Sequence, residues 1–474
     1  MTLHAAYFTE EIIFMNEVGG RLIQDEGAQA GAPGDVVARL PRLGFGAAPI
    51  GNLYAPLSDE QAFAAVAAAF DAGVRYFDTA PHYGFGLSEQ RLGQALAKLD
   101  PDETALISTK VGRLLRPIAA DQAAGLRHGF AGAAPFEPEF DYSYDAVMRS
   151  FEESRRRLGR KRIDILLAHD IGRLTHGDDH ARRFEQFLQG GYLALRALRD
   201  CGSVGAIGIG VNECEAAEEA LAAGDFDVVL LAGRYTLLEQ GALDRLLPLC
   251  AARGVALIVG GPYNSGILAR GAGGEAPARY NYEAAPAEVV ERVARLEAVC
   301  QRFGVPLAAA ALQFPMAHPQ VASVIPGLAS AEEVAAARRL LDTAIPAELW
   351  QALRDEGLLH AKAHTPGSAP GGPRAAAPLV LLSPLDNVLV CAGAVQAGDP
   401  LTIDGDTVIA PADVPTGHKL ARRALQVGEA VLKYGAPIGS MTAPADRGDH
   451  VHSHNLRSDY IPSHGRDAAD GASG

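Results

Sequence analysis

The sequence predicts an α/β protein in two parts, a (β/α)8 TIM barrel followed by a small, mostly-β domain. Three observations lead there. Eight short apolar runs alternate with helical segments between Leu43 and Gly327. The runs are apolar almost throughout, as strands buried on both faces are, rather than alternating in the manner of half-exposed strands. Past a Pro/Gly/Ala/Ser-rich stretch at residues 364–378 (HTPGSAPGGPRAAAP), the helical pattern gives way to alternating apolar residues with Ala-Gly-Asp and Asp-Gly turns.

Taken in order, the runs are LGFGAAPIG from Leu43, RYFDTA from Arg75, TALISTKV from Thr104 and IDILLAHD from Ile163. They continue with VGAIGIGV from Val204, FDVVLLAG from Phe226, GVALIVGGP from Gly254 and VASVIPG from Val321. The first intervening helix carries its own punctuation: Ser58 as N-cap, Gln61 three residues on, and Gly73 at its end. Further helices are predicted over 144–158, 213–223 and 286–303. Eight strand–helix units over about 300 residues match the barrel count. A doubly wound open sheet would place GxGxxG after its first strand, and Gly44-Phe45-Gly46-Ala47-Ala48-Pro49 is not that motif. Two long segments, 112–143 and 264–286, follow the third and seventh strands. Active sites lie on that strand-end face, so both segments are candidate substrate covers. The predicted domains are an extension at 1–40, the barrel at 41–362, a linker at 363–378, the small domain at 379–460 and a disordered tail at 461–474.

Composition narrows the class. In 474 residues, 48% are hydrophobic, enough for a large core, and the net charge of −15 argues against nucleic-acid binding, which needs clustered Lys and Arg. The cysteines Cys201, Cys214, Cys250, Cys300 and Cys391 are odd in number and have no metal-binding spacing, so they read as reduced thiols. No apolar run approaches the ~18 residues of a membrane span. Residues 1–12 lack the pattern of a secretory signal. The expectation is a cytoplasmic protein without membrane association.

The barrel reading directs attention to polar residues at strand ends. Asp78 ends the second run with Tyr83 close behind, Lys110 ends the third, and His169 ends the fourth. Such a group suits carbonyl/alcohol redox chemistry. A free phenol has a pKa near ~10. A neighbouring ammonium favours the phenolate, and a carboxylate holds that ammonium in place. Tyr83 would then act as general acid in reduction and general base in oxidation, with His169 orienting the substrate oxygen. Taken singly, each residue also has an ordinary structural reading.

The stretch GVRYFDTAPHYGFGLSEQRLG (Gly73 to Gly93), with ISTKVG and LLAHD, resembles the aldo-keto reductase signature, and the likeness runs from Leu43 to Leu359. The resemblance implies Asp78, Tyr83, Lys110 and His169 as a catalytic tetrad, and NAD or NADP held at the barrel mouth without a Rossmann domain. It further implies Asn212 as holder of the nicotinamide carboxamide, although Val211 stands where a serine is usual. Tyr235, Gly261, Pro262, Gly266 and Leu268 would line the nicotinamide and pyrophosphate, with Pro326, Gly327 and Glu333 at the adenosine end. Glu333 favours NAD, since a carboxylate repels a 2′-phosphate and accepts a bond from a ribose hydroxyl. The wording of the motifs is most similar to bacterial aldose 1-dehydrogenases (of L-fucose, D-threo-aldoses or galactose), with pyridoxal 4-dehydrogenases close by. That implies oxidation of a small sugar at C1 to a lactone, with a generic aldehyde oxidoreductase and a non-catalytic barrel scaffold as alternatives.

The C-terminal stretches DNVLVCAGAVQAGDPLTI, PTGHKLARRALQVGEAVLKYGAPIG and HVHSHNL resemble the SAF domain of altronate/galactarate dehydratases. The resemblance implies a link to aldonate dehydration and a partner, a large dehydratase subunit supplied separately. His450, His452 and His454 alternate and would share one face of a strand. That suits a divalent metal or a sugar acid, or else marks a solvated terminal strand. His418 and Lys419 either meet a sugar-acid carboxylate or cap a turn.

Overall fold

The eight runs form eight parallel strands: β1 (Phe45–Gly46), β2 (Tyr76–Asp78), β3 (Leu106–Val111), β4 (Ile163–His169), β5 (Val204–Val211), β6 (Val228–Ala232), β7 (Ala256–Gly260) and β8 (Val321–Ile325). The structure, a computed structural model, describes residues 35–273, 278–281, 283–366 and 379–457, the last span without 394, 396, 397 and 416. Most of the expected extension, most of the expected linker and the expected tail lie outside the described residues. The chain divides into two units, Met1–Gly367 and Ser368–Gly474.

In the first unit each strand pairs with its successor, β1 through β8. Gly44 N–H donates to Val324 O (3.0 Å) and Gly46 N–H to Pro326 O (2.9 Å), which joins β8 back to β1 and closes the barrel. Side-chain parity sorts the core. Tyr76, Leu106, Ile165, Leu167, Val228, Leu230, Ile258 and Ile325 fill the interior, while Phe77, Ile107, Leu166, Ile207, Val229 and Leu257 pack outward among the helices. The end of the expected extension is part of this fold. The short helix Asp35–Ala38 and the residues after it bury Val36 and Leu40 with the interior set.

Local signals placed the helices. Around Asp59–Asp71, Gln61 N–H donates to Ser58 Oγ (3.2 Å) and Ser58 N–H to Gln61 Oε1 (2.9 Å), the reciprocal capping the sequence calls for. Helices Tyr144–Leu158, Cys214–Ala223 and Ala287–Arg302 also form where expected. The two long segments carry structure of their own. The first holds the hairpins Arg113–Pro117 with Phe136–Phe140 and Leu126–Arg127 with Phe130–Ala131. The second holds the turn of helix Ile267–Arg270 and the pair Arg279–Tyr280 with Glu283–Ala284. Among the described residues no helix is long and apolar enough to cross a membrane.

The second unit is mostly β and built on a repeat. The hairpin Pro400–Ile403 with Asp406–Ile409 turns at Asp404–Gly405, both with positive φ, as a tight two-residue hairpin turn requires. Ala430–Lys433 with Ala436–Met441 turns the same way at Tyr434–Gly435. Val395 bridges Val414 before and after the first hairpin, as Leu425 bridges Ala445 around the second. Each half has its own small core, Leu389, Val395, Leu401, Ile403 and Val414 in one and Leu425, Val431, Met441 and Ala445 in the other.

Candidate active site

Strand parity carries the polar residues inward at the barrel mouth. Tyr76 faces the interior, so Asp78 two residues on does too; likewise Leu106 leads to Ser108 and Lys110, and Ile165 to Leu167 and His169. Gly210 on β5 leaves room beside Lys110, since a Cβ there would stand 3.4 Å from Lys110 Cε. Lys110 Nζ donates to both Asp78 oxygens (3.0 and 2.8 Å), to Thr79 O (2.8 Å) and to Tyr83 OH (3.1 Å). Ser108 Oγ donates to Asp78 Oδ1 (2.7 Å) from below. Tyr83 comes from the turn after β2, not from a strand. Gly84 (φ +63°) lets that turn press against the backbone after β1, because a Cβ there would meet Gly51 O at 2.4 Å. The Tyr83 and His169 rings lie 6.0 Å apart at 88°. All four expected residues are therefore brought together.

Electrostatics correct one expectation. Burial pushes the Tyr83 phenol well above its ordinary value; the Asp78 and Asp170 carboxylates add to this and Arg113 works against it. The ammonium does not lower it on balance, because Asp78 takes up Lys110 with both oxygens and offsets its charge. Burial, then Arg113 and Lys110, holds His169 well below its ordinary value, so its imidazole is neutral at physiological pH.

Several neighbours escaped sequence reasoning. Asp170 (φ +50°) follows His169 and receives Arg113 Nη2 and Asn212 Nδ2 (3.2 Å). Its carboxylate also lies 3.4 Å from His169 Nε2. Tyr142 OH donates to His169 O (2.7 Å), fixing the strand end. The 112–143 segment is laced onto the loop after β1: Tyr54 N–H donates to Gly129 O (2.8 Å), Ala131 N–H to Asn52 O (2.9 Å) and Asn52 Nδ2 to Ala131 O (2.9 Å). Phe130, Phe85, Leu53 and Tyr83 then form a small apolar cluster over the site. Adjacency in sequence (His82 and Tyr83, His169 and Asp170, Lys110 and Arg113) was the available signal.

The residues assigned to the cofactor by resemblance are arranged unevenly. Asn212 sits beside the tetrad, after β5. With its Nδ2 given to Asp170, its amide oxygen is the atom left to receive a carboxamide N–H, which fits a nicotinamide. Gly261 and Gly266, with Pro262 between them, follow β7, and both glycines have positive φ. Asn264 between the last two stitches this loop to the one after β6, accepting from Thr236 Oγ1 (2.6 Å) and donating to Gly233 O (3.0 Å). Pro326 and Gly327 follow β8 at the barrel seam. Tyr235 and Leu268 are fully buried in the outer core, Tyr235 packed on Phe314 and His318. Glu333 accepts from Ala329 N–H (2.7 Å) at the start of helix Ala331–Leu341, so part of its carboxylate is already engaged.

In the second unit the strand ends at Val451 and a turn follows, so His452 and His454 do not lie on a strand as expected. The rings still gather. His418 Nδ1 and His450 Nε2 share a hydrogen bond of 2.9 Å, and the His418 and His452 rings stack at 4.5 Å and 5°. The His454 ring lies 5.3 Å from that of His450. Among the described residues no group of three His, Cys, Asp or Glu is placed to hold a metal ion. The divalent metal expected there finds no ready ligand set among these residues: His418 Nδ1 and His450 Nε2 are turned to each other, and His452 Nδ1 to Ser453 Oγ (2.9 Å).

Comparison with known proteins agrees with this fold. The pattern of the aldo/keto reductase family matches residues 42–355. The chain belongs to the aldo/keto reductase family. It is an oxidoreductase enzyme with a TIM-barrel fold. It is 45% identical over 325 residues to pyridoxal 4-dehydrogenase of Microbacterium luteolum, covering 67% of this chain and 94% of that protein. It is 40% identical over 322 residues to D-threo-aldose 1-dehydrogenase of a Pseudomonas species, covering 68% and 95%. The solved holo form of an aldo-keto reductase from Bacillus halodurans shares the fold, with a TM-score of 0.51 at 24% identity over 69% of this chain and 94% of that one. Residues 377–459 match the altronate/galactarate dehydratase SAF domain. There the chain is 42% identical over 73 residues to altronate dehydratase of Escherichia coli, 15% of this chain and 15% of that protein. It is also 50% identical over 48 residues to the alpha subunit of (2R)-sulfolactate sulfo-lyase of Paracoccus pantotrophus, 10% of this chain and 72% of that subunit.

Proposed function

We propose that this reductase-family barrel oxidises a small cyclic hemiacetal, foremost an aldose at C1, to its lactone. The observation that supports this most directly is the Tyr83 hydroxyl held 3.1 Å from Lys110 Nζ beside the neutral His169. When bound, oxidised nicotinamide supplies the hydride acceptor and a positive charge that favours the phenolate. Tyr83 takes the proton of the anomeric hydroxyl as the C1–H electron pair leaves as hydride and the C1 carbonyl forms. His169 orients the reacting oxygen, Lys110 and Asp78 hold the phenol, and Asn212 would anchor the carboxamide. Both named relatives suit this reading: aldoses close on themselves to hemiacetals, and so does pyridoxal, whose aldehyde lies beside a hydroxymethyl group. Pyridoxal is the second substrate reading, favoured by the 45% identity. Turnover of the full chain on aldoses, pyridoxal and simple aldehydes tests it; activity confined to simple aldehydes would overturn it.

NAD is the proposed cofactor. The segment from Gly327 to Ala337 contains Glu332 and Glu333 and no Lys or Arg to meet a 2′-phosphate. The expected result is a higher kcat/KM with NAD+ than with NADP+, and the reverse order would reject it. The proposed domains are the barrel at 41–362 and the small domain at 379–460, and the free cysteines support a cytoplasmic setting.

The SAF domain is proposed to serve a dehydratase whose large subunit is a separate chain. The sulfo-lyase match supports this, because there a domain of this kind makes up most of a small alpha subunit. An aldonolactone opens to an aldonate, the class of acid that such a dehydratase consumes. His418, His450, His452 and His454, with Lys419, would meet the sugar acid. The chain alone is expected to dehydrate no aldonate. As bait in its native host it should retain a large dehydratase subunit, and replacing the four histidines with Ala should lower dehydration by the pair. Failure to capture such a subunit, with no dehydration in reconstituted mixtures, would leave the domain as a fusion without that role.

A further inference from the structure

Three polar atoms around Tyr83 are buried and have no hydrogen-bond partner among the described residues: His82 Nδ1, Arg113 Nε and His169 Nδ1. Native proteins keep few such atoms, because each forfeits its bond to water without replacement. His169 has its proposed role at the reacting oxygen. The other two lie outside the tetrad. The His82 ring stands 6.0 Å from the His169 ring, the same separation as that of Tyr83, and 5.4 Å edge-on from Phe130. Arg113 is held through Nη2 by Asp170 and lies 4.8 Å over the Phe140 ring, which leaves Nε unused. Packing alone does not call for these residues: a wall of Phe85, Phe130 and Leu53 would accept an apolar residue at position 82.

We propose that His82 and Arg113 form a second hydrogen-bonding arm of the substrate site, one that binds a hydroxyl on the carbon next to the reacting carbon. This rests on the hemiacetal reading above and sharpens it to 2-hydroxylated substrates. His82 and Tyr83 are consecutive in the chain, and both rings lie 6.0 Å from His169 and pack on Phe130 (5.4 and 6.2 Å), which brings His82 to the neighbourhood of the reacting oxygen. Arg113 only donates, whereas an imidazole offers one accepting nitrogen. A hydroxyl can accept from the first and donate to the second. A carboxylate is disfavoured, because Asp170 already neutralises Arg113. Phe130 presents an apolar surface for the C–H face of a sugar ring. A substrate without the hydroxyl leaves both buried groups unpaired, the situation in which an active site discriminates most strongly.

The test compares kcat/KM for D-galactose and 2-deoxy-D-galactose in the full chain, with NAD+ affinity followed separately by fluorescence. The wild type is expected to prefer galactose by about 10²-fold or more. His82→Phe, which keeps ring volume, should cut that preference by at least about tenfold through KM for galactose, with NAD+ affinity retained. Arg113→Lys keeps the charge facing Asp170 and removes Nε; it should act the same way and covers the case in which the first variant does not fold. Oxidation of both sugars with equal efficiency, or variants that keep the full preference, overturns the proposal and leaves hemiacetal oxidation standing. If neither sugar is oxidised while NAD+ binds, the hemiacetal reading for these sugars is what has failed. Reduction of lactaldehyde against propanal then reads the same arm, with equal efficiency overturning it.

Discussion

Replacing Tyr83 with Phe is expected to lower turnover by about 10²–10⁴-fold, the range for loss of a positioned proton-transfer group, while NAD+ affinity stays unchanged. The substitution removes one oxygen. Its ring contacts with His169 and Phe130 survive, and Lys110 keeps both Asp78 oxygens and Thr79 O. A structural explanation of lost activity is therefore excluded if the variant binds NAD+ and melts like the wild type. Turnover above about a tenth of wild type, far outside that range, would remove Tyr83 from the proton-transfer role.

Lys110→Met has the second largest expected effect, and its signature is pH. In the folded protein burial and two carboxylates already raise the phenol's pKa. Removing the ammonium leaves Asp78 to act on the phenol unopposed, so the pKa rises further. Oxidation needs the phenolate, so the acid limb of its pH–rate profile should move to higher pH, with turnover at neutrality down by about 10²-fold or more. His169 and His82 are both held well below the ordinary imidazole value by burial, so neither accounts for that limb. Asp78 would be left buried without its partner, a change that costs about 3–5 kcal/mol when a buried pair is broken from one side. Asp78→Asn combined with Lys110→Met relieves that cost. If the double variant recovers stability while turnover stays low, the loss belongs to chemistry and not to folding. An unmoved pH profile in Lys110→Met, with turnover high enough to measure, would count against the assigned role of Lys110.

The sequence by itself determined the barrel and the inward placement of Asp78, Lys110 and His169, because both follow from short-range rules. A strand's side chains alternate with period two, so apolar Tyr76 and Leu106 in the interior commit Asp78 and Lys110 to the same interior two or four residues later. Ser58 and Gln61 define a helix start within four residues of chain. The repeat in the second unit, with Val395 and Leu425 at matching places, was also present in the sequence but is weakly spelled; the paired bridges make it plain.

Only the tertiary structure decided what surrounds the tetrad, because those contacts join loops far apart in the chain. Arg113 and Asp170 are separated by 57 residues and meet because β3 and β4 are neighbours in the barrel. Asn212 reaches Asp170 across 42 residues for the same reason, as β5 lies beside β4. No periodicity encodes such a meeting. The same holds for Tyr83, whose pKa is set first by burial and then by Asp78, Asp170 and Arg113, rather than by the ammonium that the sequence singles out. It holds too for the histidines, which alternate in the sequence but leave the strand at Val451 and stack with His418 from a separate strand start. Local periodicity sets which face a side chain takes; strand order, through the loops it brings side by side, sets which charges and unpaired atoms that face will meet.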